Sequence, residues 1–174
     1  MTRPVRFLFD ECISRPVVEG QLAESLALYT ADATVVHLLG KYPRDKYPAG
    51  VKDRIWIPEL ARESGWIIIT MDRGRHSQKS ESLPVISRAF RITHVMLSAG
   101  LEKRSMYYRA LAIETCWPKL LNTANQPQGT GFILSIHQTP MADVRFRLEK
   151  KTDALSPEDV PAVQRFLFNE WGRK

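Results

Sequence analysis

Cysteine is scarce in this chain: Cys12 and Cys116 are the only two among 174 residues. That excludes a small scaffold stapled by disulfides, and their spacing matches no zinc-ligand pattern, so two reduced thiols are expected. Cys12 follows Asp10 closely, yet no histidine is local to it, and a nucleophilic thiol there has little to activate it. Long apolar runs are missing as well. None approaches the roughly 20 residues that cross a bilayer, and Met1-Thr2-Arg3-Pro4 leads straight into a strand pattern instead of a signal-peptide core. The expected location is the cytoplasm, with no membrane involved. There is no internal repeat, which excludes a solenoid. Acid is the scarcer charge, with 19 Asp and Glu against 25 Lys and Arg, a formal net charge of +6. A positive field of that size suits a polyanionic partner.

What is present suits one α/β domain with a small C-terminal addition, since 44% hydrophobic content fills an ordinary core at this length. Val5-Arg6-Phe7-Leu8-Phe9 reads as a central strand ending in Asp10. Ser14 and Pro16 then open a helix whose apolar face is Val17, Val18, Leu22, Leu26 and Leu28. Ala33 to Leu39 reads as a second strand. His37 within it is either a satisfied core histidine or a ligand. Gly40 to Lys52, with two Tyr-Pro pairs and Gly50, reads as a loop. Asp53 suits an N-cap of a helix that runs to Gly65, with Pro58 breaking it into a turn and a helix. Trp66 to Met71 is a buried strand ending in Asp72, and Asp72 to Glu81 is a basic rim loop. Leu83 to Phe90 reads as a helix and Ile92 to Leu97 as a strand. Gly100 to Leu121 follows as one long helix with Leu101, Tyr108, Leu111, Ala112 and Thr115 in its apolar register. The β-α-β-α-β-α-β-α order argues for a doubly wound, mainly parallel sheet.

Composition changes after Leu121. Asn122 to Gly131 is rich in turn formers, and two strand-patterned runs follow, Gly131 to His137 and Val144 to Leu148, reading as a hairpin. Ser156-Pro157-Glu158-Asp159 opens a last amphipathic helix carrying Val160, Val163, Phe166, Leu167 and Trp171. The division is residues 1–121 for the α/β domain and 122–174 for a hairpin and helix extension packed on it.

The chemistry points to three acids. Asp10 and Asp72 follow apolar strands directly, and Asp53 opens a helix. The C-terminal ends of parallel strands form one rim, where ligand crevices lie. Carboxylates that converge there can hold a hard divalent cation such as Mg²⁺, which keeps several waters and needs few protein ligands. Capping of the following helix is the competing role for each Asp.

Three stretches together resemble the PIN-like domains of the VapC-type toxin group: Phe7-Leu8-Phe9-Asp10-Glu11, Asp53-Arg54-Ile55-Trp56-Ile57-Pro58-Glu59-Leu60 and Gly65-Trp66-Ile67-Ile68-Ile69-Thr70-Met71-Asp72-Arg73. The match runs over roughly residues 5 to 100. The resemblance implies a Rossmann-like three-layer sandwich and a Mg²⁺- or Mn²⁺-dependent endoribonuclease. Such a protein acts as the toxin of a toxin-antitoxin pair, with RNA as substrate and a cognate antitoxin as partner. Asp10, Asp53 and Asp72 would be the metal ligands and, with Glu11 as a fourth acid, the catalytic set. Thr70 would orient Asp72 or touch a metal-bound water, and Arg73 would reach a phosphate. Arg75 and His76 would either hold RNA or stand as surface-loop residues. The extension beyond residue 121 can cover a sheet edge, form a homodimer or receive the antitoxin. The alternative function is a PIN-like module, catalytically weak or inactive, that binds RNA or a protein partner without cutting. A receiver-like phosphoacceptor domain is disfavoured because Ile92 to Leu97 ends in Ser98-Ala99-Gly100, without the lysine that chemistry needs.

Overall fold

Six strands form one sheet: β1 (Val5–Phe9), β2 (Ala33–His37), β3 (Trp66–Thr70), β4 (Thr93–Leu97), β5 (Gly131–Gln138) and β6 (Val144–Thr152). They lie in the order β2-β1-β3-β4-β5-β6, and every neighbouring pair is parallel except antiparallel β5 and β6. The computed structural model describes residues 4–40, 47–73, 79–138 and 144–173.

Apolar runs in β1 and β3 arise because both strands are covered on both faces. Phe7 and Phe9 point to one side, into a cluster with Val18, Leu22, Ile67, Ile69, Val95 and Trp117. Leu8, Trp66 and Ile68 point to the other, against Trp56, Ile57, Leu60, Leu83 and Ile86. The first layer is built by a π-helical turn (Val17–Leu22) that runs into α1 (Ala23–Ala27), and by α4 (Ala99–Glu102) and α5 (Met106–Asn122); the second by α2 (Asp53–Leu60) and α3 (Leu83–Ala89). The result is the three-layer, mostly parallel α/β sandwich expected. Arg6, the one charge inside β1, pairs with Glu63 at 3.0 Å and lies over the Trp66 ring, which lets a cation within the strand tolerate its apolar setting.

The hairpin continues this sheet. β5 pairs with β4, so residues beyond 121 complete the first core cluster through Phe132 and Leu134. The last helix, α6 (Val160–Gly172), packs on α3 with Leu167 buried, and its Trp171 indole donates to the Ser80 carbonyl at 2.7 Å.

Several sequence expectations need correction. The Gly100 to Leu121 helix is two, α4 and α5, because Ser98 and Ser105 each cap a new start, accepting from the Leu101 and Tyr108 N–H groups. Thr115 is exposed, while Ile113, Cys116, Trp117 and Leu120 carry the buried stripe. Leu28 is 87% exposed, since the wide π-helical turn rotates the register and Leu28 falls past the last turn. β2 stops at His37, where a 3₁₀ turn (Leu38–Gly40) takes over. α2 runs unbroken through Pro58 and ends at Leu60, not at Gly65. Gly65 instead makes the turn into β3 at φ +87°, with the Pro4 carbonyl oxygen only 2.4 Å from where a Cβ would stand. α6 begins at Val160, leaving Phe166 half exposed.

Candidate active site

In the order β2-β1-β3-β4 the chain leaves β1 in one direction and β3 in the other. The crevice between the carboxyl ends of those two strands is the switch point of the sheet. Phe9 pairs with Ile69, so Asp10 comes abreast of Thr70, and Asp72 follows two residues on. Register therefore assembles Asp10, Thr70 and Asp72 at one point.

Thr70 is fully buried and its hydroxyl links the two acids. It donates to Asp10 Oδ2 and accepts the Asp72 backbone N–H at 2.9 Å. Asp10 Oδ1 accepts the Cys12 N–H at 2.8 Å, and Asp72 Oδ2 accepts the Leu83 N–H at 3.1 Å, fixing Asp72 to the start of α3. Burial raises the Asp10 pKa above the ordinary carboxylate value. The hydrogen bonds from Cys12 and Thr70 oppose that rise, and the neighbouring negative charge of Asp72 adds to it.

The other expected residues make contacts of their own. Asp53 is the first residue of α2, not its N-cap: Lys52 holds that position, and Asp53 Oδ1 accepts the Trp56 indole N–H at 3.0 Å. With Lys52, Arg54 and Glu81 it lines a small cavity of about 180 Å³. Glu11 accepts the Gly50 N–H at 2.8 Å, tying the segment before α2 to the rim. Arg73 pairs with Glu102 of α4, so its charge is already matched. Arg75 and His76 lie outside the described residues. His37 is buried, its Nδ1 accepts the Leu39 N–H at 3.2 Å, and burial lowers its pKa, as for a satisfied histidine. Burial drives the Cys12 thiol pKa well up, the charge of Asp10 reinforces this, and the thiol faces the Ile69 carbonyl at 3.6 Å. It is held as an inert thiol.

Arg109, which sequence reasoning passed over, clamps the site from α5. It donates to the carbonyls of Cys12 (3.2 Å), Leu101 (3.3 Å) and Glu102 (2.6 Å), and so anchors the turn after Asp10 to α4. No residue type in the sequence signals this, because its partners are backbone carbonyls, one of them 97 residues away.

Two adjacent carboxylates and a hydroxyl are hard oxygen donors, and the Asp10 and Asp72 charges repel each other. That donor set fits a Mg²⁺- or Mn²⁺-type cation held by two carboxylates with water completing the shell. Among the described residues, no three Asp, Glu, His or Cys side chains gather into one cation-holding group.

A family model described as a PIN like domain matches residues 5–96, just over half of the chain, and the chain belongs to that family. PIN-like domains are commonly nucleases, which assigns the chain to nuclease-type, hydrolytic function in the coarse sense. No curated protein and no solved structure matches it. None of the helices among the described residues is long and apolar enough to cross a membrane.

Proposed function

We propose that the chain is a Mg²⁺- or Mn²⁺-dependent endoribonuclease of the PIN-like type, acting as the toxin of a toxin-antitoxin pair. The observation that carries this is the placement of Asp10 and Asp72 at the switch point of the sheet, coupled through Thr70. The cation, when bound, would supply charge neutralisation at a phosphodiester and a lowered pKa for an attacking water. The chain's own contribution is positional. Thr70 holds the two carboxylates in one arrangement, the Cys12 and Leu83 N–H groups fix their remaining orientation, and Arg109 keeps the turn after Asp10 in place. Asp53, at the N-terminus of α2, is the third acid of the proposal and Glu11 the fourth. A net charge of +6 favours approach of RNA despite the local acids.

A second reading rests on one feature of the same site. Both oxygens of Asp10 are already engaged by the chain, by Cys12 and Thr70, as suits a structural carboxylate in a module that binds without cutting. Turnover separates the two. Incubating purified protein with a mixed RNA pool in Mg²⁺ or Mn²⁺, and in EDTA, is expected to give metal-dependent cleavage that Asp72→Asn abolishes. RNA binding with no cutting in either metal would favour the binding module. Growth arrest on expression of the chain, absent for Asp72→Asn, tests the toxin assignment; unimpaired growth with the parent would contradict it.

A further inference from the structure

We infer that the outer face of the β5–β6 hairpin is a docking surface for the phosphate backbone of single-stranded RNA, an inference that rests on the endoribonuclease reading. Strand residues alternate between faces. Phe132, Leu134 and Ile136 of β5, with Phe146 and Leu148 of β6, face the core cluster that α4 and α5 build. The opposite face carries Ser135 and His137 on β5, directly across from Arg147 and Arg145 on β6. Neither α4 nor α5 covers that side, and His137, Arg145 and Arg147 are exposed. Cross-strand neighbours stand about 5 Å apart, so the four side chains make one continuous polar, cationic patch.

Its chemistry and its position point to the same occupant. Arg147 has an ion pair with Glu149 at 3.1 Å, and Glu149 is shared with Lys151 at 3.5 Å; Arg145 has no acidic partner among the described residues. Arg145, Arg147 and Lys151 against Glu149 leave the face with a net charge of +2. Planar guanidinium forks and an imidazole beside a hydroxyl are donors suited to phosphate oxygens. Because β3, β4 and β5 are parallel with Thr70, Met96 and Ile133 abreast, Ser135 stands level with Asp72 two strands across, a lateral spacing of roughly 10 Å, and His137 follows two residues beyond on the same rim. Arg73, the arginine nearest Asp72 in the chain, is matched by Glu102, whereas the hairpin adds cationic charge to the rim that is only partly matched. The surface belongs to the extension beyond the family match, which ends at residue 96.

The test compares the full chain with its Arg145→Gln/Arg147→Gln variant and with Lys119→Gln, a control at an exposed position of α5. A fluorescein-labelled single-stranded RNA is titrated in EDTA across a salt series, and cleavage is read separately in Mg²⁺. Losing two phosphate contacts is expected to make the slope of log K against log salt shallower by about 1.4 and to weaken low-salt binding roughly tenfold. The control should match the parent, and an unchanged melting curve shows the hairpin intact. A variant with the parent's slope, while the parent cuts RNA, overturns this surface and leaves the nuclease reading standing. A parent that neither binds nor cuts RNA overturns both. A parental dimer in sedimentation that the variant dissolves, with RNA binding unchanged, assigns the face to a second copy and overturns the RNA docking.

Discussion

At the scale of single residues, Asp10 and His94 are both buried ionisable groups, and they respond to pH in opposite senses. Asp10 is held at an unfavourable protonation balance by burial and by Asp72, so Asp10→Asn should abolish cleavage while raising Tm by a few degrees, measured by calorimetry without metal. His94 is fully buried on β4 with neither ring nitrogen hydrogen-bonded, and burial depresses its pKa to about 4, with the Arg88 charge acting in the same direction. A histidine depressed in the folded state binds its proton more readily when unfolded. Its contribution is therefore present above the ordinary value near 6.5 and is lost as pH falls towards 4, up to about 3 kcal/mol. Urea unfolding of the parent against His94→Leu between pH 4 and 7 should give a steeper pH slope for the parent. Parallel slopes would mean that His94 does not titrate this way.

Among the elements, the junction of β4, β5 and β6 is closely packed around Gly131. A Cβ on Gly131 would stand 2.1 Å from Thr152 Oγ1 and 2.7 Å from His94 Nε2, so only glycine lets β5 pass between them. Gly131→Ala should cost about 2 kcal/mol of stability, read as a lower urea midpoint, and trimming Thr152 to Ala in the same chain should restore part of it. Elements were legible in the sequence where one local signal sufficed. β1 and β3 follow from unbroken apolar runs, and the hairpin from alternation between turn-rich stretches. The division between α4 and α5 was not, because Leu101 and the residues after Met106 keep an apolar pattern across the break; the decision lies with two serine hydroxyls. Ser105→Ala should accordingly destabilise α5 by about 1 kcal/mol. The site was partly legible for a related reason. Asp10 and Asp72 at strand ends are visible in the chain, whereas the β1–β3 register that sets Thr70 between them and the Arg109 clamp are tertiary facts.

On the scale of the whole molecule, one sheet joins the segment matched to the PIN-like family to an extension that completes its core. Ending the chain at Leu121 would remove Phe132 and Leu134 from that core and leave the β4 edge unpaired. Such a truncation should bind a hydrophobic dye and lose its cooperative melt, where a dispensable extension would leave both unchanged. The central claim is that the switch-point acids of this assembled sheet perform hydrolysis. It is tested most directly by cleavage of a mixed RNA pool by the purified full chain with Mg²⁺, with Mn²⁺ and with EDTA, beside the Asp10→Asn/Asp72→Asn double variant. The expected result is metal-dependent fragments from the parent and none from the folded variant. Equal cutting by both proteins would contradict the site, and no cutting by the parent in either metal would contradict the activity.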